Sequence, residues 1–253
     1  NTFTLSILAT DSSGAADVET VTISVTDLND QTPVYQAADA DDTFSVNENT
    51  ATSSVIDNGV ITDTDTGNSF DCTLGGADAG DFTCTISGSN AQLKFAAAPN
   101  YESPADANGD NVYVVTVLVD DGVADDANGA TTLTITVTDL NDQAPSWTTS
   151  ATANVAEGAT AVATLAATDS DTADTGGLTY AITTDDPGSG TIFSVSGTAL
   201  TIAAQNYEAP ACGAGSDSLT CVVVLSATDA ANTATAHTIT VTITDTNDQT
   251  PVY

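Results

Sequence analysis

From Thr20 to Thr26 the chain places threonine or serine at every second position and valine or isoleucine between them. The same alternation, with Leu133 as its first apolar residue, runs from Thr132 to Thr138, and it recurs from Thr238 to Thr244. A period of two sustained over that length is the mark of a strand with one face buried and one face wet. Shorter runs of the same kind lie at Thr179 to Thr183, Phe193 to Val195, Ala199 to Ile202 and Val222 to Leu225. No stretch keeps a helical period. Many short strands with turn residues between them predict all-β sandwiches of about 100 residues each.

The long strands belong to a repeat. Each runs into an acidic segment, Asp27-Leu-Asn-Asp-Gln31, Asp139-Leu-Asn-Asp-Gln143 and Asp245-Thr-Asn-Asp-Gln249, and each segment is followed by a proline and an aromatic: Pro33 with Tyr35, Pro145 with Trp147, Pro251 with Tyr253. Proline there stops the strand and sets an extended linker. The opening Ala9-Thr10-Asp11 lines up with Ala227-Thr228-Asp229, so residues 1–31 read as the last strands and linker of a repeat whose front is missing. Residues 32–143 and 144–249 read as two full repeats, and 250–253 as the start of another. Strands near 2–10 and 18–26 cannot bury an apolar face alone. They are expected to pack on further chain or on a second copy, joined head to tail, because Asn29 to Tyr35 reads the same as Asn247 to Tyr253.

Charge changes the picture. Of 253 residues, 35 are Asp or Glu and only Lys94 is basic, a formal net charge of -34, while 41% hydrophobic content excludes a disordered acidic tail. Nucleic acid is excluded as a partner, since phosphate binding needs clustered Lys and Arg. Self-repulsion on this scale calls for high salt or bound divalent cations, as in a saline exterior. No apolar run is long enough to span a bilayer. The four cysteines form two local pairs, Cys72 with Cys84 and Cys212 with Cys221, without CxxC spacing or nearby histidine, and read as disulfides of an oxidising compartment. Aligning Phe70 with Tyr180 and Phe82 with Phe193 lays Cys72 over Ile182 and Cys84 over Val195. That bond would join neighbouring strands inside a sandwich, and Cys212–Cys221 would close a surface loop.

Acidic residues recur in fixed order in both repeats: Glu48 and Glu157; Asp63-Thr-Asp65 and Asp169-Ser-Asp171; Asn100-Tyr-Glu102 and Asn206-Tyr-Glu208; then Asp120 and Asp229 after a hydrophobic strand. With the acidic hinge, this series resembles the cadherin repeat over nearly the whole chain. The resemblance implies tandem Greek-key β-sandwiches of cadherin- or immunoglobulin-like type, joined by linkers that bind calcium (Ca2+). It assigns Glu48, Glu102, Asp139, Asp142 and Asp171 to two ions of the second junction. The third ion falls to Asn141, Asp169, Asp171 and Asp229, with the carbonyl of Gln143; Leu140 completes that hinge. At the first junction Asp27, Asn29, Asp30 and Gln31 are the hinge, and Asn29, Asp63, Asp65 and Asp120 make the one complete site. Glu157, Glu208, Asp245, Asn247 and Asp248 are the corresponding residues of the third. Calcium takes six to eight oxygens in a tolerant geometry, which such a set can supply.

Two departures matter. Asn100 and Asn206 stand where the family usually has aspartate, which weakens the outermost ion, and Gln replaces the last Asn of the hinge. Other features read as structure: Asp106-Ala-Asn-Gly-Asp110 as a surface turn, Trp147 as a core anchor of its strand, and His237, aligned with Glu19, as a solvent-facing position. Paired carboxylates could suggest glycoside hydrolysis, but in so acidic a chain such pairs arise by chance, and the reading is not an enzyme. The expected role is a calcium-rigidified rod of an extracellular, cell-surface adhesin or filament of bacterial type. Its partners are neighbouring repeats, copies of the same chain, and a possible cell-surface protein or glycan. The alternatives are a recognition module binding a protein or glycan through its repeats, and an accessory domain of a secreted enzyme.

Overall fold

The computed structural model describes residues 1–66, 69–122, 129–171, 177–185, 191–212, 219–229, 231–232 and 234–249. It divides into two units, Asn1–Thr138 and Asp139–Tyr253. Apart from one 3-10 turn at Ala79–Asp81, every regular element among the described residues is a strand.

The first unit opens with a hairpin of β1 (Thr2–Thr10) and β2 (Ala16–Ser24). There follow β3 (Val34–Gln36), β4 (Thr43–Asn47), β5 (Asp57–Thr62), β6 (Asp71–Gly75), β7 (Phe82–Ser87), β8 (Asn90–Phe95), β9 (Val112–Asp120) and β10 (Thr131–Thr138). They form two four-stranded sheets, β4-β10-β9-β6 and β3-β5-β8-β7, in which β4 lies parallel to β10 and the remaining pairs are antiparallel. The alternation seen in the sequence is what closes the core. Tyr113, Val115, Val117 and Val119 of β9 and Leu133, Ile135 and Val137 of β10 point inward onto Phe82, Leu93 and Phe95 of the other sheet. Phe82, Phe95 and Tyr113 pack ring on ring with centroids 4.7–5.7 Å apart, an arrangement that aromatic quadrupoles favour. Tyr35 anchors β3: its buried hydroxyl donates to Asp57, and Gly59 is required beneath it because a Cβ there would lie 2.3 Å from the ring. Burial, then the Asp57 carboxylate, pushes that phenol above its ordinary range.

The second unit repeats the plan with β11 (Ser146–Trp147), β12 (Thr152–Ala156), β13 (Ala161–Thr164), β14 (Ala167–Thr168), β15 (Thr179–Thr184), β16 (Phe193–Ser196), β17 (Ala199–Ile202), β18 (Thr220–Thr228) and β19 (His237–Thr244). Its sheets are β12-β19-β18-β15, β13-β17-β16 and the short pair β11-β14. Register makes the two units comparable position by position. Thr138 faces Asn47 as Thr244 faces Ala156, and Thr131 faces Val117 as His237 faces Leu225. The sandwich architecture is thus as expected, and three details differ.

The first concerns the disulfides, Cys72–Cys84 and Cys212–Cys221. Cys72 faces Val119 as Tyr180 faces Ala227, so Cys72 stands in the place of Tyr180, not Ile182. The bond joins β6 of one sheet to β7 of the other. Cys212–Cys221 is no surface closure, since both cysteines are buried in the core, although residues 213–218 lie outside the described residues. Cys221 occupies the position of Tyr113. Each disulfide therefore fills a slot that a tyrosine fills in the sister unit.

The second is His237, which is no solvent-facing position. It lies on the inner side of β19, its ring stacks on Trp147 with centroids 4.8 Å apart, and its Nε2 is buried without a hydrogen-bond partner. Trp147 holds the place of Tyr35, half-buried, and donates its indole N–H to the Thr235 carbonyl at 3.0 Å. Tyr253 lies outside the described residues. The third is β2, which runs two residues earlier than the alternation suggested. In the hairpin Phe3 faces Ile23 as Cys221 faces Val241, and Leu5 faces Val21 as Val223 faces Ile239. The same positions that are buried in the second unit are 61% (Phe3), 52% (Leu5) and 50% (Ile23) exposed here.

Candidate metal centre

The second unit gathers a set of carboxylates at one end of its sandwich. Asp169 and Asp171 follow β14 in a turn that Asp169 closes by accepting the Asp171 N–H at 3.1 Å, the kind of local bond that aspartate makes in turns. Asp171 accepts the N–H of Gln143 at 2.8 Å, which ties the acidic hinge to the turn. Asp229 lies one residue past β18, on the same inward parity as Cys221, Val223, Leu225 and Ala227, and is fully buried. It accepts the N–H groups of Ala231 and Asn232. Asn232 then donates to the Asn141 side-chain oxygen at 2.7 Å, so it couples Asp229 to the hinge. Asp169, Asp171 and Asp229 each bring a carboxylate oxygen within 4.8 Å of the others.

The electrostatics are one-sided. Burial raises Asp171 above the ordinary carboxylate range; the Gln143 N–H opposes this, and the charges of Asp169 and Asp139 add to it. Burial also works against Asp229, but its hydrogen bonds from Asn232 and Ala231 outweigh it and hold the carboxyl below the usual range. Asp169 Oδ2 and Asp171 Oδ1 are buried with no hydrogen-bond partner. Residues 139–253 contain neither lysine nor arginine, so no side-chain ammonium or guanidinium of this unit can neutralise them. Buried charge without a partner is costly. An all-oxygen donor set of carboxylates and amide oxygens, with both cysteines of the unit in a disulfide, fits a hard divalent cation.

A second acidic group lies at the other end of the unit, because β18 runs antiparallel to β19 and Asp229 and Asp245 follow their respective ends. Glu157, Glu208 and Asp245 approach one another within 4.8 Å. Glu157 accepts the N–H groups of Tyr207 (2.9 Å) and Thr246 (2.8 Å). Asn247 and Asp248 are exposed beyond them, and Asp248 accepts from the Gln249 amide. Asn206 caps the turn by accepting the Glu208 N–H, and Asn100 serves likewise toward Ser103.

The first unit carries matching pieces. Glu48 is buried and accepts the Tyr101 N–H at 2.9 Å, as Glu157 does with Tyr207; Glu102 is half-buried. Asp63 accepts the Asp65 N–H at 2.9 Å, and Asp65 accepts those of Asp30 (2.7 Å) and Gln31 (2.6 Å). Asp27 accepts the hydroxyl and N–H of Thr66, which holds its carboxyl below the usual range. Asp63 Oδ2 and Asn29 Oδ1 are buried without a hydrogen-bond partner.

Asp120 does not occupy the place expected for it. It is exposed, faces Asp71 as Thr228 faces Thr179, and accepts the Gly122 N–H. Asp121, one residue on, is buried and is the counterpart of Asp229. The signal was in the sequence: Tyr113, Val115, Val117 and Val119 set the inward parity, and Asp121 continues it. Asn232 was missed as well, with no cue beyond lying three residues after Asp229. Of the hinge residues in the second unit, Leu140 is half-buried and Asp142 accepts from the Gln143 amide at 2.6 Å. Asp106 accepts the Asp110 and Asn111 N–H groups, so that turn is closed by its own backbone.

No family model matches the chain. Among curated proteins it is 30% identical to Cadherin-99C of Drosophila melanogaster over 145 residues, 57% of this chain and 8% of that protein. It is also 30% identical to the protocadherin-like wing polarity protein stan of the same organism over 210 residues, 79% of this chain and 6% of that protein. Among solved structures, the protocadherin gammaB7 EC3-6 cis-dimer covers 98% of this chain, and the chain covers 59% of it, with a TM-score of 0.66 at 23% identity. This chain consists of cadherin-like repeat domains. Mouse cadherin-23 EC22-24 shares the fold, with a TM-score of 0.62 at 22% identity over 97% of this chain and 74% of its own. The chain thus spans less than a tenth of the length of these curated cadherin relatives. No helix among the described residues is long and apolar enough to cross a membrane.

Proposed function

We propose that these cadherin-like repeats are the calcium-stiffened shaft of an extracellular adhesin or filament, with repeats over residues 32–143 and 144–249. The observation that carries the reading is the triad of half-buried Asp169 with buried Asp171 and Asp229, in a unit without lysine or arginine. Calcium held by these carboxylates, Asn141 and the Gln143 carbonyl would supply the missing positive charge. The residues themselves do the positioning: Asp169 shapes the turn, Asp171 fastens the hinge, and Asn232 joins the hinge to Asp229. In the first unit Asn29, Asp63, Asp65 and Asp121 would act alike. The glutamates 48, 102, 157 and 208 would close the ion sets, so that each linker is fixed only when metal is bound. Adhesion then depends on the shaft holding a distant tip away from the surface.

Calorimetric titration with calcium at constant ionic strength tests this. Saturable binding is expected in the range of about 10⁻⁴–10⁻³ M, usual for extracellular modules. Asp121→Asn is expected to weaken the first-unit site by roughly tenfold through loss of one ligand charge, and Asp120→Asn to leave it unchanged. The reading fails if calcium gives no saturable heat, and the assignment of Asp121 fails if the two variants exchange roles.

A further inference from the structure

The first unit holds a cavity of about 200 Å³ in which an acid and two aromatic rings meet. Its lining includes Asp81 at the end of the 3-10 turn, Phe95 of β8, Tyr113 of β9, and Ala98, Pro99 and Ser103 of the loop between those two strands. The ring centroids of Phe95 and Tyr113 lie 5.4 Å apart. Asp78 and Asp106, whose charges act on Asp81, have both carboxylate oxygens taken by backbone N–H groups: those of Ala107 and Val114 on Asp78, and those of Asp110 and Asn111 on Asp106. No such bond reaches the half-buried Asp81 carboxylate among the described residues. Burial, then the charges of Asp78 and Asp106, pushes its carboxyl above the usual range. The fold does not require this combination. Phe82 faces Phe95 as Phe193 faces Ile202, so the second unit has Ile192, Ile202 and Cys221 where the first has Asp81, Phe95 and Tyr113.

We propose that this cavity binds a primary alkylammonium group, from a small free amine or from a lysine side chain of another protein. Charge selects a cation: a carboxylate pressed by two like charges is relieved by one, and aromatic rings attract one electrostatically. Donor count selects an ammonium over calcium. Calcium takes six to eight oxygens, whereas an ammonium has three donors, which the Asp81 carboxylate and the hydroxyls of Ser103 and Tyr113 can meet. The Tyr113 hydroxyl already accepts the Ala105 N–H at 3.2 Å and keeps a second lone pair. Ala98 and Pro99 offer apolar contact to the alkyl stem, the usual setting of an amphipathic chain with a charged head. The chain does not supply the group itself. Lys94, its one lysine or arginine, precedes Phe95 on β8 and so lies on the opposite side of that strand.

Amide NMR of the full chain in calcium, titrated with butylammonium chloride at constant ionic strength, tests the proposal. Saturable shifts are expected at Ala98, Ser103 and Ala105 with a millimolar dissociation constant, and none with butanol. Asp81→Asn is expected to weaken binding at least tenfold, and Asp71→Asn, which removes an exposed charge elsewhere in the unit, to leave it unchanged. Phe95→Ile installs the residue of the second unit and is expected to weaken binding severalfold, with strand signal by circular dichroism as the check on folding. A capped Gly-Lys-Gly peptide separates the two sources: shifts at the same amides assign the site to a protein lysine, and shifts with butylammonium alone assign it to a free amine. Amides that stay still in butylammonium overturn the proposal. So do equal shifts from butanol, or binding as tight in Asp81→Asn as in the parent.

Discussion

Replacing Asp171 with asparagine reverses the sign of its effect on stability between calcium and chelator. Asparagine keeps the shape and still accepts the Gln143 N–H, but it removes one buried charge from a group in which Asp169 and Asp139 already press on Asp171. In chelator the variant therefore melts higher than the parent, because folded-state repulsion is relieved. In saturating calcium it melts lower, because the ion loses a charged ligand and its affinity falls roughly tenfold or more. Thermal scans with and without chelator measure both arms. A variant that shifts the same way in both conditions would mean that Asp171 does not hold a cation.

The second large effect is loss of the buried disulfide of the second unit. Cys212–Cys221 fills the slot that the Tyr113 ring fills in the first unit, so removing it costs both the cross-link and core packing. The double variant Cys212→Ala/Cys221→Ala is expected to lose about 2–4 kcal/mol of unfolding free energy, the usual range for a native disulfide. Trp147 is the chain's one tryptophan and lies in this unit, so its fluorescence in urea reports the loss without interference from the first. Calcium affinity at the Asp229 end is expected to hold, since Cys221 lies near the opposite end of β18. A loss below about 1 kcal/mol, within the reach of an ordinary surface change, would show that the bond is incidental to the fold.

Much of this architecture is legible in the sequence for a physical reason. A strand with one face in the core alternates, and three runs with Thr or Ser at every second position leading into an acidic hinge repeat that constraint visibly. Asp169 and Asp171 are readable as an Asp-x-Asp pair that recurs as Asp63 and Asp65, and Glu157 because it and the distant Asn206-Tyr-Glu208 recur in the order of Glu48 and Asn100-Tyr-Glu102. What was not legible depends on register. Whether Asp120 or Asp121 turns inward is decided by one residue of parity, and Cys72 was displaced by two positions because loop length between strands leaves no periodic trace. His237 has no such pattern; it is fixed by Trp147, far away in sequence, whose ring it meets only after β11 and β19 have folded. Asn232 is of the same kind, a donor placed by a turn.

The claim that calcium stiffens these repeats is tested most directly by small-angle scattering of the full chain before and after chelation, with circular dichroism on the same samples. The account predicts that the maximum dimension shrinks and the scattering profile becomes that of a jointed chain when calcium is removed, while strand content stays constant, and that both return on adding calcium back. An unchanged profile in chelator, with the chain as long and stiff as before, would contradict it.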